Sequence, residues 1–158
     1  MEIIDNFLPE HMFSNIHNLI VNEQFPWFFV DGIANKHDKS DSYFVHTFYQ
    51  YNQPNSPFYE PLSELVKFLD AKSMIRMRAI RYIGKETLIE HATHIDFDFP
   101  HKSMVLYLND NDGFTRIEDK ETVQSVRNRA LLHDGGIQHN STNCTNKDYR
   151  LVLTVNYF

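Results

Sequence analysis

The chain has 158 residues, of which 42% are hydrophobic and 14% aromatic, and its formal net charge is -6 at pH 7. This length and composition predict one globular domain over residues 1–158, with a sizeable buried core. An acidic chain lacks the broad basic surface that binds phosphate backbones, which disfavours a nucleic-acid partner. The single Cys144 excludes an intrachain disulfide, and no apolar run approaches a membrane span, so we expect a soluble, cytoplasmic protein.

The amino-terminal half predicts two helices that flank an aromatic segment. Apolar residues recur with helical spacing over residues 9–22 and again over residues 59–69, which is typical of amphipathic helices. Between them, residues 25–51 carry many aromatic side chains around a polar insert, residues 35–42. This segment has two interpretations: a pair of strands that adds to the core, or an aromatic lid that excludes water from a bound substrate.

The second half predicts short strands separated by turns. Strand patterns cover residues 74–83, a segment around residue 94, and residues 104–108, 114–117, 122–126, 129–133 and 151–157. Short strands at this spacing indicate a sandwich or barrel, and helices gathered at the amino end can cover one of its sheets. We therefore expect a mainly β fold, a double-stranded β-helix (jelly roll, cupin-like) with amino-terminal helices buttressing one sheet.

A His-x-Asp pattern lies at the centre of these strands. If His94-Ile95-Asp96 is a strand, His94 and Asp96 point to the same face and Ile95 packs behind them. His139, which follows the turn-like residues 134–136, offers a third ligand. Two histidines and one carboxylate on one face of a metal form the facial triad of non-haem Fe(II) oxygenases, which leaves positions open for substrates.

An ordered set of short motifs resembles the 2-oxoglutarate and Fe(II)-dependent dioxygenases, in particular their prolyl-4-hydroxylase-like branch. The resemblance runs from Arg81 to the end of the chain. Its elements are Arg-Tyr-Ile-Gly at 81–84, His-Ile-Asp at 94–96, Tyr-Leu-Asn at 107–109, Gly-Phe-Thr-Arg-Ile at 113–117, Gly-Gly-Ile-Gln-His at 135–139 and Tyr-Arg-Leu at 149–151.

The resemblance implies a metal site and a cosubstrate site. The residues it implies are His94, Asp96 and His139 as catalytic iron ligands, and Arg150, Tyr107 and Tyr82 around 2-oxoglutarate. Arg150 is expected to bind the distal carboxylate, since a guanidinium binds a carboxylate through two charge-assisted hydrogen bonds. For both tyrosines the alternative is a half-buried strand aromatic with no ligand. The implied cofactors are Fe(II), 2-oxoglutarate and dioxygen.

Other side chains compete for these roles. His133 also precedes Arg150, but we favour His139 because it follows the glycine turn, as the second histidine of the family does. Asp98, on the same predicted strand face, is a less favoured ligand or a hydrogen-bond partner of one. His91 and His101 are interpreted as surface or loop histidines.

Two further features leave alternatives open. Arg76, Arg78 and Arg81 form a basic cluster on one predicted strand, interpreted as a solvated face or, less favoured, as a contact for an acidic partner or substrate. Val152 stands where many relatives have a hydroxyl residue, and Phe114 where the family usually has glycine. These two departures from the family pattern leave undecided which residues besides Arg150 contact the cosubstrate, and whether Phe114 narrows the entrance of the site or simply packs.

The expected function is hydroxylation of a small molecule or a peptide side chain, coupled to oxidative decarboxylation of 2-oxoglutarate to succinate. One alternative is a cupin-like metal-binding module without turnover, which would not need Arg150. A second is a nucleic-acid demethylase of the same superfamily, which would need a basic groove, and the arginine strand is the only hint of one.

Overall fold

A computed structural model describes residues 1–33 and 41–158. The helices are α1 (Glu10–Val21), a 3-10 helix (Pro57–Leu62) and α2 (Ser63–Phe68). The strands are β1 (Glu2–Ile4), β2 (Phe28–Asp31), β3 (Ser42–Gln50), β4 (Gln53–Pro54), β5 (Met74–Ile83), β6 (Lys102–Tyr107), β7 (Phe114–Ile117), β8 (Glu121–Gln124), β9 (Ala130–Asp134), β10 (His139–Ser141) and β11 (Tyr149–Tyr157).

Within the described residues the strands form two antiparallel sheets. The larger has eight strands in the order β1-β9-β6-β11-β5-β3-β2, with β4 paired to β3, and the smaller has three in the order β10-β7-β8. The smaller sheet lies across one face of the larger one, and side chains of both line a common cavity. The expected jelly roll with amino-terminal helices is confirmed.

The opposite face of the large sheet carries the main core, and the helices cover it. Side chains alternate along a strand, so Leu151 and Leu153 of β11 point to this face. The helix α1 buries Phe13, Ile16 and Ile20, whose spacing places them on one side of the helix. Each of these burials contributes roughly 1.5–3 kcal/mol. The sheet face without helices is left for the cavity.

Most predicted elements are observed, and the differences have local causes. The first helix and the strand over residues 74–83 are confirmed. The second predicted helix is divided into a 3-10 turn and α2, because Pro61 lies inside the 3-10 turn and cannot donate a backbone hydrogen bond. The strand β10 was not predicted, since its three residues are too few for a pattern. None of the helices in the described ranges is long and apolar enough to cross a membrane.

The aromatic segment serves more than one purpose. Phe25 and Phe48 are buried in the main core, so the core interpretation is confirmed for them. Tyr43 instead lines the cavity on the other face of the sheet. The polar insert of this segment falls largely on residues 34–40, which lie outside the described residues. The lid interpretation stays a prediction.

One buried asparagine joins the amino-terminal segment to the turn between β8 and β9. The Asn128 side chain accepts a hydrogen bond from Leu8 N at 3.0 Å and donates one to Leu8 O at 2.8 Å. Its φ of 59° is left-handed, a conformation that asparagine tolerates better than alanine. We expect Asn128→Ala to lower the free energy of unfolding by about 3 kcal/mol, because it leaves two buried backbone groups unpaired.

Urea denaturation measures this effect, and Asn6→Ala is the matched control. Asn6 also has a positive φ, 50°, but it is exposed, so its replacement reports the backbone strain alone. Equal losses of stability in the two variants would show that the buried hydrogen bonds of Asn128 contribute little.

Candidate metal centre and cosubstrate cavity

A cavity of about 310 Å³ lies between the two sheets. Alternate residues of β5 and β11 form one wall, and the segment around His94 and the strand β10 form another. Because the strand period is two, every second residue of β5 and β11 faces this cavity while its neighbours face the main core. Polar and charged side chains therefore enter the cavity from strands that are apolar on their other face.

Three potential metal ligands converge at one end of the cavity. Ligand atoms of His94, Asp96 and His139 all lie within 4.8 Å of one another. Reciprocal backbone hydrogen bonds of 2.9 Å join His94 and His139 and hold the two histidines side by side. Nδ1 of His94 lies 3.3 Å from Ala92 O, and Nδ1 of His139 lies 3.0 Å from Ile137 O. A carbonyl only accepts, so Nδ1 carries the proton and each Nε2 is left to bind a metal.

The predicted strand over His94-Ile95-Asp96 is wrong. His94 forms only an isolated bridge with His139, and the three residues belong to a loop. Ile95 does not pack behind the pair; it is 40% exposed and lines the cavity. The convergence of His94 and Asp96 therefore depends on the loop and on its pairing with β10, and strand alternation is not its cause.

The competing histidines and Asp98 are outside the converging group found among the described residues. The ring of His133 lies 5.1 Å from that of His139, and its Nδ1 is 2.8 Å from Asp134 O. Burial, together with the nearby His139, lowers the pKa of His133 to about 4, so this imidazole is neutral. His91 and His101 are buried, so their interpretation as surface residues is wrong, whereas the loop interpretation holds.

Arg76 and Asn156 hold Asp96 in its ionised form. Arg76 forms an ion pair with Asp96 Oδ1, and Asn156 Nδ2 donates to Oδ2 at 2.8 Å. Burial alone would raise the pKa of Asp96, but these two partners outweigh it and hold the pKa below its usual value. A carboxylate that stays ionised is the form that binds a metal ion.

The arginine cluster is divided between the two faces of β5. Arg76 and Arg78 line the cavity, so the interpretation of a solvated face is wrong for them. Arg81 points to the other face, where its guanidinium carbon lies 4.2 Å from the centre of the Tyr149 ring. The physical reason is strand alternation, which separates even-numbered from odd-numbered residues.

Arg150 is a buried cation in the cavity wall. The residue is 1% exposed. Its Nε donates to Ser125 Oγ at 2.7 Å, its Nη1 to Thr142 O at 3.1 Å and its Nη2 to Thr115 Oγ1 at 2.9 Å. All three acceptors are uncharged, and no carboxylate of the described residues forms an ion pair with Arg150. A buried charge without a counter-ion is costly, so this site favours an anionic ligand.

Two tyrosines flank this guanidinium. Its carbon lies 5.4 Å from the ring centre of Tyr82 and 5.6 Å from that of Tyr107. Tyr82 lines the cavity and accepts a hydrogen bond from Ser141 Oγ at 3.1 Å, whereas the Tyr107 hydroxyl donates to Val123 O at 3.4 Å. Burial raises the pKa of both phenols and the charge of Arg150 only partly offsets it, so both are neutral. Neither ring is half-buried: both are almost fully enclosed.

The structure adds site residues that the sequence did not single out. Asn156 shares a face of β11 with Arg150, and strand alternation is the signal that would have found it. Ser125, which binds Arg150, follows β8 in a loop and has no local signal. Val152 and Thr154 both line the cavity, so Thr154 is the hydroxyl that this strand offers there.

No protein-family model and no curated protein sequence matches the chain. Several solved structures resemble it. A 2OG-Fe(II) oxygenase family oxidoreductase from Burkholderia pseudomallei is 13% identical with a TM-score of 0.72, covering 98% of this chain and 83% of that one. A prolyl hydroxylase from Trichoplax adhaerens, solved with a hypoxia inducible factor peptide, is 14% identical with a TM-score of 0.71, covering 99% and 82%.

A prolyl-4-hydroxylase from Pseudomonas putida is 15% identical with a TM-score of 0.64, covering 99% of this chain and 91% of that one. At such identities a structural likeness establishes the fold, and activity has to be argued from the site itself. The resemblance inferred from the sequence motifs is thereby confirmed at the level of the fold. The chain has the fold of the 2-oxoglutarate/Fe(II) oxygenases, a group that includes prolyl hydroxylases.

Proposed function

We propose that this protein is an Fe(II)- and 2-oxoglutarate-dependent dioxygenase that hydroxylates a small molecule or a peptide side chain. The observation that carries the proposal is the buried charge of Arg150, which has no counter-ion among the described residues and lies in the same cavity as the His-Asp-His group. Arg150 lies near the start of β11, and Asn156, near its end, binds Asp96. The cavity thus has a cation at one end and potential metal ligands towards the other.

The chemistry of the side chains fits both groups. Two imidazole nitrogens and one carboxylate oxygen form a donor set that suits Fe(II). A guanidinium has five N–H groups, and three of those of Arg150 go to protein acceptors, which leaves at most two for a ligand. Two charge-assisted hydrogen bonds to one carboxylate contribute roughly 1.5–3 kcal/mol each. Arg150 would hold the distal carboxylate of 2-oxoglutarate, and His94, Asp96 and His139 would hold the metal.

When bound, Fe(II) and 2-oxoglutarate supply the oxidising chemistry, which consumes dioxygen and yields succinate, carbon dioxide and a hydroxylated product. The protein would position these two groups and shelter them from water. Carbonyl groups fix the ring orientation of both histidines, and Arg76 keeps Asp96 ionised. Ile80 and Val152 form an apolar part of the wall, which limits water near the reacting atoms.

An anaerobic titration tests the proposal. The protein receives Fe(II) and then 2-oxoglutarate, and the visible charge-transfer band of the chelate is followed. We expect a saturable band with 2-oxoglutarate and none with succinate, which has the carboxylates but lacks the keto group. Iron binding without a band would contradict the dioxygenase and favour the cupin-like metal-binding module.

The nucleic-acid demethylase has no observation in its favour. The arginines that hinted at a basic groove, Arg76 and Arg78, line the inner cavity. The chain as a whole is acidic, with a net charge of -6. A phosphate backbone would need a cationic outer surface, so a small or peptide substrate is the better proposal.

Gly113 sits where any side chain would disturb the cosubstrate end of the cavity. A Cβ at this position would lie 2.3 Å from Asn143 O and 2.6 Å from Arg150 Cδ. We expect Gly113→Ala to weaken 2-oxoglutarate binding by about tenfold, roughly 1.4 kcal/mol, with little change in Fe(II) affinity, because it displaces the guanidinium.

The same titration measures both affinities, and Gly136→Ala is the matched control. Among the described residues, a Cβ there would meet only Asp134 Oδ1, at 3.3 Å. Thermal unfolding of both variants checks the fold. An unchanged 2-oxoglutarate affinity in a folded Gly113→Ala protein would show that the position of Arg150 does not matter for binding.

A further inference from the structure

Arg78 is a third cation in the cavity wall, besides Arg76 and Arg150, and the proposed function does not use it. It lies on β5 between Thr47 of β3 and Thr154 of β11, and it is half-buried. Its Nε is buried and has no hydrogen-bond partner among the described residues. It takes part in no ion pair within residues 1–33 and 41–158. A partly desolvated guanidinium that faces a cavity in this way favours an anion there.

The other arginines of the strand and cavity differ from Arg78 in their partner or in their position. Arg76, two residues earlier on the same face, is paired with Asp96. Arg81 faces the opposite side and stacks on Tyr149. Arg150 of β11 is paired with Tyr82 of β5, and Tyr82 is four residues from Arg78 on β5. The backbones of Arg150 and Arg78 are therefore about 13 Å apart along the strands. Arg78 therefore lies well away from the cosubstrate end.

Arg78 also lies towards the metal end. Arg76, two residues from Arg78 on the same face of β5, pairs with Asp96. Thr154, opposite Arg78 on β11, is two residues from Asn156, which also binds Asp96. An anion bound by Arg78 would be close to the atoms that react.

The net charge of the cavity lining also favours an anion at Arg78. Among the described residues, three arginines and two aspartates, Asp31 and Asp96, line it, which leaves one positive charge in excess. Fe(II) and the 2-oxoglutarate dianion cancel each other, and metal-bound histidines are neutral. The described lining of the loaded cavity thus keeps one positive charge, which a neutral substrate would leave uncompensated.

We propose that Arg78 binds a carboxylate of the primary substrate, so that the substrate is a small organic acid or a side chain or terminus that bears a carboxylate. The hydroxylation of that substrate rests on the proposed function, whereas the binding of its carboxylate does not. Arg78 is then a specificity residue: it selects the acid over its neutral analogue. Arg78 could instead bind the carboxylate of 2-oxoglutarate that is directed to the metal. The experiment therefore has to distinguish a substrate carboxylate from a cosubstrate carboxylate.

Calorimetry with matched acids and amides tests the assignment. The anaerobic protein, loaded with Fe(II) and 2-oxoglutarate, is titrated with butyrate, isovalerate and benzoate and with their primary amides. We expect at least one acid to bind about tenfold more tightly than its amide. In Arg78→Met this preference should fall to near unity, in Arg78→Lys it should partly persist, and in Arg81→Met, a cation on the other face of β5, it should be unchanged.

The outcomes discriminate between the two sources. The affinity for 2-oxoglutarate should be the same in Arg78→Met as in the parent. If it falls together with the preference for acids, Arg78 serves the cosubstrate and the inference is overturned. No acid-over-amide preference in the parent, or a preference that survives in Arg78→Met, would equally overturn it. If Arg78→Met does not fold, Arg78→Gln replaces it.

Titrations of the metal-free protein separate this inference from the proposed function. If the parent loaded with Fe(II) forms no 2-oxoglutarate complex, the proposed function fails. An Arg78-dependent preference for the acids in the metal-free protein would then still support the carboxylate site. If the parent shows no preference for the acids but forms a normal 2-oxoglutarate complex, the dioxygenase stays intact and the role of Arg78 is refuted.

Discussion

Arg150→Met is expected to weaken 2-oxoglutarate binding at least a hundredfold while leaving Fe(II) binding close to that of the parent. Methionine keeps much of the length of the side chain but removes both the charge and the hydrogen bonds. Two charge-assisted bonds at roughly 1.5–3 kcal/mol each correspond to a loss of about 3 kcal/mol or more. The anaerobic titration measures this directly, since the charge-transfer band reports the cosubstrate and the metal is determined separately.

Two further variants isolate the cause. Arg150→Lys keeps the charge but loses the planar pair of donors, so its affinity should fall between parent and Arg150→Met. Arg116→Met removes an arginine from β7 whose guanidinium pairs with Glu90 near the surface, and it should bind 2-oxoglutarate normally. Parent-like affinity in Arg150→Met would mean that the cosubstrate binds elsewhere and would refute the proposed function.

His139→Ala is expected to abolish stoichiometric Fe(II) binding, whereas His133→Ala should retain it. Both histidines are buried and their rings are 5.1 Å apart, which makes His133 a stringent control. Only His139 belongs, among the described residues, to the group whose ligand atoms lie within 4.8 Å of one another. Losing one of three protein ligands removes a large part of the binding free energy of the metal.

Anaerobic equilibrium dialysis followed by metal analysis gives the stoichiometry of each variant. Thermal unfolding of both proteins shows whether a loss of iron reflects the site or the fold, because each substitution also leaves a small cavity. Retention of iron in His139→Ala together with its loss in His133→Ala would reverse the assignment of the third ligand.

The elements that the sequence predicted best depend on local patterns. The helix α1 has a continuous apolar face, and β5 and β11 are long strands with apolar residues on the face that packs in the main core. Where a local pattern was weak, the prediction was wrong or absent. The strand β10 has only three residues, and Pro61 interrupted the second helix. A hydrophobic period needs several residues to be visible, and short segments are decided by their neighbours.

The charged residues show the limit of local patterns most clearly. A count of arginines on β5 indicated a solvated face, yet Arg76 and Arg78 enter the cavity while Arg81 stacks on the opposite face. Strand alternation predicts that Arg76 and Arg78 lie on one face of β5 and Arg81 on the other. It does not predict which of the two faces the rest of the fold encloses. The smaller sheet encloses it, and its strands β7, β8 and β10 all come much later in the chain than β5.

By itself, the sequence determined the secondary structure of the long elements, the mainly β class and the order of the motifs that resemble the oxygenases. Only the tertiary structure decided that His94 and Asp96 converge from a loop, and that the buried charge of Arg150 has uncharged acceptors. The reason is physical: periodicity is a property of neighbouring residues. Convergence, burial and the absence of a counter-ion within the described chain depend on segments far apart in sequence.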